Sequence, residues 1–86
     1  MYTLSKKDKQ YEDIKNNPQG RSFHELKTLL ERFGFNVDTG KGKGSHCPVS
    51  HEKHTDLTWT MSIKKPMKIY HAREVIKLVE EVMDRE

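Results

Sequence analysis

Leu57-Thr58-Trp59-Thr60-Met61-Ser62-Ile63 alternates strictly between apolar and hydroxyl-bearing side chains, and no other segment restricts the fold as much. Successive side chains of an extended chain point to opposite faces. Leu57, Trp59, Met61 and Ile63 therefore share one face, and Thr58, Thr60 and Ser62 the other. A sheet built on this strand has one face that must be covered and one fit for water or a ligand. Whatever covers it must carry an apolar stripe of its own, and two segments do.

The first opens with Ser22-Phe23-His24-Glu25, a capping box in which the serine caps a helix start and the glutamate reaches back. Phe23, Leu26, Leu29, Leu30 and Phe33 follow at helical spacing, and Gly34 stands where a helix-ending glycine belongs. The second begins near His71, after Lys64-Lys65-Pro66, and carries Ala72, Val75, Ile76, Val79, Val82 and Met83 on one side. Between them, Phe35 to Thr39 alternates as a strand does, Gly40-Lys41-Gly42-Lys43-Gly44 reads as a flexible basic turn, and Ser45 to His51 supplies a second strand. Pro48 falls in that middle strand, where it cannot donate to a neighbour, so a bulge or poor pairing beyond Cys47 is expected. Ahead of all this, Ser5 to Asn16 is polar and helix-compatible, with Tyr11 and Ile14 as its apolar pair, and Asn17-Pro18-Gln19-Gly20 stops it. The expectation is an α+β fold. Residues 1–20 form a helical arm weakly held to a body, residues 21–86, that runs helix, three-stranded antiparallel meander, helix, with both helices on one sheet face.

At 86 residues, 33% hydrophobic and 34% charged, the chain suits one domain with a thin core. No apolar run approaches the roughly 20 residues of a membrane span, and no hydrophobic stretch follows the N-terminal lysines, so a cytoplasmic protein is expected. The single cysteine, Cys47, allows no internal disulfide. Charge is unevenly spread. Gly34 to Tyr70 holds six Lys against three Asp or Glu, a surplus equal to the whole net charge of +3, whereas His71 to Glu86 holds three basic and five acidic residues. A basic middle points to an anionic partner.

If Cys47 and Val49 face the helices, His46 and Ser50 project onto the polar face with Thr58 and Thr60. His46 then stands on open surface, close to Lys41 and Lys43 and to glycines whose N–H groups can meet phosphate oxygens. At this point Phe23-His24-Glu25-Leu26, Phe33-Gly34-Phe35, Lys43-Gly44-Ser45-His46 and Ile69-Tyr70-His71-Ala72-Arg73-Glu74-Val75-Ile76 together resemble the HicA messenger-RNA interferases. The resemblance runs over roughly residues 16–82. It implies a fold like the double-stranded-RNA-binding domain, metal-independent cleavage of messenger RNA with no cofactor, a cognate HicB-type antitoxin, and His46 as the catalytic histidine. Where members of that family often carry a second histidine, this chain has Cys47.

The chemistry needs a base for the 2′-hydroxyl proton, which an imidazole supplies near neutral pH. It also needs positive groups on the phosphate, for which Lys41, Lys43 and the Gly44 and Ser45 N–H groups are the candidates. Lys64, Lys65 or a water stand as candidates for the acid, the two lysines also as RNA contacts. No carboxylates cluster for a two-metal site. Zinc on His46, Cys47, His51 and His54 is disfavoured, because neighbours in a strand face opposite ways. Trp59 reads as core, and His24 and His71 as solvent-facing or capping. The rival from another class is a non-catalytic RNA-binding module on the same fold.

Overall fold

The computed structural model describes residues 5–39 and 45–86. These form three helices and three strands: α1 (Lys6–Asn16), α2 (Phe23–Arg32), β1 (Phe35–Val37), β2 (His46–His51), β3 (Thr58–Ser62) and α3 (Ile69–Arg85). The strands make one antiparallel sheet in the order β1-β2-β3. The architecture is a small α+β fold. Among the described residues no helix is long and apolar enough to cross a membrane.

The local signals act as physics requires. Ser22 Oγ accepts from the Glu25 N–H and Glu25 Oε1 accepts from the Ser22 N–H, each at 3.1 Å, so α2 starts with both donors satisfied. It ends at Gly34, whose φ of 90° a side chain would resist. Ser5 and Asp8 cap α1 in the same reciprocal manner. α3 begins at Ile69, earlier than the apolar stripe alone suggests. There the His71 imidazole does the reaching back, with Nδ1 accepting from the Lys68 N–H at 3.1 Å.

The core takes Leu26, Leu29 and Leu30 from α2, Val75, Val79 and Val82 from α3, and Phe35, Val37, Cys47, Val49 and Met61 from one face of the sheet. The other face carries Asn36, His46, Pro48, Ser50, Thr58 and Thr60, all exposed. α1 contributes more than a weakly held arm should. Ile14 is fully buried and Tyr11 joins the same core, and a side chain such as Ile14 is worth about 2 kcal/mol on burial. Polar ties reinforce it. Tyr11 donates to Glu80 of α3 at 2.6 Å, and Arg21 bridges Asp13 and Glu25 at 2.8 and 2.9 Å.

Pro48 produces neither a bulge nor poor pairing. β2 runs unbroken from His46 to His51 and keeps register with both neighbours. The reason lies in which way its peptide faces. Ile63 N–H donates to the Ser45 carbonyl and His51 N–H to the Leu57 carbonyl, so residues 47, 49 and 51 exchange hydrogen bonds with β3 and residue 48 does not. Toward β1, the Pro48 carbonyl accepts from Asp38 N–H at 3.0 Å. The donor that proline lacks would have faced Asp38, just past the last residue of β1. The strand is short there, and the omission falls at its end.

At the junction of α2 and β1, the His51 ring lies over Gly34. A Cβ on Gly34 would come within 2.7 Å of His51 Nε2. Gly34→Ala therefore meets both an unfavourable φ and a clash with a buried ring, and should lower unfolding free energy by about 2 kcal/mol or more. Urea denaturation of the two proteins checks this, and an unchanged midpoint would contradict it.

Candidate functional site

The parity of β2 sorts its side chains. His46, Pro48 and Ser50 face out, and Cys47, Val49 and His51 face the helices. Across the ladder His46 stands opposite Ser62, Pro48 opposite Thr60, and Ser50 opposite Thr58. These are the pairs that exchange no hydrogen bonds, in which Cα atoms approach to about 4.5 Å. The imidazole of His46 thus sits at one end of a face of hydroxyls, directly across from a serine. Among the described residues, the strands of that face carry no Asp, Glu, Lys or Arg side chain.

The chain has five histidines, and the fold separates them by role. His51 is 5% exposed, with Nε2 against the Phe33 carbonyl at 2.8 Å and Nδ1 accepting from the Lys53 and His54 N–H groups at 3.0 and 2.9 Å. A ring facing a carbonyl on one nitrogen and two N–H donors on the other carries its proton on Nε2. His71 is 2% exposed, and burial pushes its pKa down. The solvent-facing alternative considered for His71 is thereby corrected: at the third position of α3 its ring is turned back onto the Lys68 N–H. His54 pairs with the Glu86 carboxylate at 3.1 Å. His24 and His46 are exposed. Among the described residues no group hydrogen-bonds the His46 ring.

Of the other anticipated site residues, Lys41, Lys43 and Gly44 lie outside the described residues. Ser45 is exposed just ahead of His46, its carbonyl accepting from Ile63 N–H at 2.6 Å. Lys64 and Lys65 are exposed in the connection from β3 to α3, two and three residues beyond Ser62. Neither makes an ion pair with a described residue. They border a cleft of about 460 Å³ whose walls include Phe23, Pro66 and Met67, with His24 also lining it. No sequence signal announced this cleft, because it joins the start of α2 to a loop more than forty positions away. Arg21 also lines it, but its guanidinium is engaged by Asp13 and Glu25.

Cys47 is buried beneath the sheet, which raises its thiol pKa and makes it an inert packing residue. His46 and Cys47 face opposite sides. Among the described residues no three His, Cys, Asp or Glu side chains gather as metal ligands would. Trp59 is half-buried and packs against the core.

Comparison of this chain with protein-family models, with curated proteins and with solved structures gives no match. The class that its own coordinates define is a small α+β protein with an exposed histidine on the uncovered face of an antiparallel sheet.

Two measurements follow from the sorting of histidines. An acylating reagent for imidazole should modify His24 and His46 well before His51 and His71, as read by mass spectrometry; early loss of His51 or His71 would refute the assignment. Burial holds His71 below its ordinary value of 6.5, so the unfolded chain binds a proton first as pH falls. Stability contributed by neutral His71 is complete above that value and is lost as pH drops toward the folded pKa. Stability of His71→Gln should depend less on pH than that of the wild type between pH 7.5 and 5; parallel curves would refute this.

Proposed function

We propose that this protein is a metal-independent endoribonuclease of the HicA type, a toxin that cleaves messenger RNA through His46 and is neutralised by a cognate HicB-type antitoxin. The fold it would use is the double-stranded-RNA-binding-domain type, with α2, the three strands and α3 as the shared frame and α1 as the addition. The observation that carries the reading is the exposed imidazole of His46, at the end of an uncovered hydroxyl face and across the ladder from Ser62, which Lys64 and Lys65 follow in the chain. An imidazole in that position is accessible to a polynucleotide and costs the fold nothing.

In the reaction, the 2′-hydroxyl of a ribonucleotide attacks the adjacent phosphorus and His46 takes its proton. The bond to the 5′-oxygen of the next nucleotide breaks, and that oxygen collects a proton from an acid, for which Lys64, Lys65 or a water are the candidates. Lys41, Lys43 and the backbone at Gly44 and Ser45, directly ahead of His46 in sequence, would meet the charge that builds on the phosphate. Lys64 and Lys65 would hold the chain where it passes the cleft. None of these steps requires a metal.

One observation favours a second reading, a module that binds RNA without cutting it. No described group orients the His46 ring, whereas a general base is commonly fixed by a partner on its other nitrogen. The two readings part on one experiment. Purified protein in excess chelator should fragment single-stranded RNA, and His46→Ala should lower the rate by about a hundredfold or more while leaving salt-dependent RNA binding in place. Because His46 is exposed, the substitution should not disturb folding. RNA held but left intact by the wild type would establish the binding module, and equal cleavage by both proteins would remove His46 from the mechanism.

A further inference from the structure

β3 is an edge strand, and two independent features of that edge are unfinished. The first is its backbone. Residues 57, 59, 61 and 63 exchange hydrogen bonds with β2, so the N–H and C=O groups of Thr58, Thr60 and Ser62 point away from the sheet. None of the three is given a backbone partner by any described element. Edges of this kind are usually guarded by a charge, a proline or a bulge within the strand. Thr58-Trp59-Thr60-Met61-Ser62 has none.

The second feature is the covered face. On β2, Cys47, Val49 and His51 are all buried; along β3 and its flanks, Leu57, Trp59 and Ile63 are only partly so, and Met61 alone is fully enclosed. The helical layer runs short beside β3. The molecule therefore has an uncharged ribbon with free hydrogen-bonding groups on its edge and half-covered apolar side chains along it.

From this we infer that the edge of β3 binds the same edge of a second copy of this chain, antiparallel, about a two-fold axis at Thr60. The choice of occupant rests on self-complementarity. In that register Thr60 faces Thr60 of the other copy and Thr58 faces Ser62, and these are the residues whose backbone groups point outward. About six hydrogen bonds form, two for each closely spaced pair. On the helix side the same register sets Trp59 against Met61 and Leu57 against Ile63, so each partly covered side chain meets an apolar one. No like charges meet, since the strand has no charge. A shift by one residue would set outward-pointing peptide groups opposite inward-pointing ones and lose this match. The two sheets become one of six strands with all helices on one side. Both His46 residues then lie on one continuous hydroxyl face, roughly 20 Å apart from strand spacing and rise. The inference is independent of what that face binds.

Trp59 is the only tryptophan, and pairing with Met61 should move its emission to shorter wavelength. The test is mass by light scattering and Trp59 emission from micromolar to millimolar protein. Wild type should double in mass with a matching blue shift. Thr60→Pro, which removes an N–H that points away from the fold, should stay monomeric and folded by circular dichroism. Thr60→Cys should form an intermolecular disulfide under mild oxidation, because facing residues in such a pair sit at about the Cα separation a disulfide needs. Wild type, whose Cys47 is buried, should not. A wild type that remains single across the range, a Thr60→Pro that dimerises equally, or a folded Thr60→Cys that never crosslinks would overturn the proposal. So would a monomer that accepts a strand only from a different protein.

Discussion

The imidazole of His51 ties together the parts of this molecule that must agree for the sheet to form. One nitrogen faces the last turn of α2 through the Phe33 carbonyl, and the other receives two N–H groups from the start of the β2–β3 connection. Next to it, Glu52 N–H donates to the Gly34 carbonyl at 3.0 Å, and Phe35 packs edge-on against the ring at 4.8 Å. A buried ring nitrogen left without a partner costs about 1–3 kcal/mol, so sliding β1 by one residue against β2 would be penalised here as well as in the core. The register Phe35 opposite His51 is fixed by this knot. Parity does the rest. His46 and His51 are five positions apart in one unbroken strand, and an odd separation puts them on opposite faces. Holding one histidine under the helices holds the other in the open.

Much of this was legible in the sequence, for identifiable reasons. Strict alternation from Leu57 to Ile63, a capping box at Ser22 and a glycine at position 34 are local signals whose energies do not depend on distant contacts, and the elements they mark formed where expected. The face of His46 also followed from alternation. What was hidden depended on partners far away in the chain. Tyr11 and Ile14 gave α1 a stripe too small to declare itself, yet its anchorage comes from Glu80, Glu25 and Arg32, none of which a local window contains. Pro48 looked disruptive because a sequence does not say which of two neighbours each peptide addresses. The structural duty of His51 could have been guessed from its place two residues after Val49, but a histidine on an apolar face gives no sign of the carbonyl and amides that will satisfy it.

Charge is segregated by consumption as well as by placement. Several carboxylates toward the end of α3 and in the loop it meets are occupied: Glu80 by Lys15, Asp56 by Arg85, Glu86 by His54 and Lys53. The Arg85 pairing is two-pronged, with both distances 2.8 Å, and holds the Asp56 carboxyl down to about 2. Lys64, Lys65 and Lys68, at the opposite end of α3, are paired with no described carboxylate. Lys15, Arg21, Lys27, Lys53 and Arg85, by contrast, are each paired with a carboxylate, so the three lysines at that end keep their charge for an outside partner.

That segregation bears on how the hydroxyl face could work on a polynucleotide. Among the described residues the strands of the open face carry no Lys or Arg, so they offer hydrogen bonds but little attraction for phosphate at a distance. The lysines adjoin the face at the His46 end, past Ser62, and not across it. On the proposed reading, a nucleic-acid chain would be drawn to the margin, where long-range attraction is strongest, and would meet the imidazole on arrival.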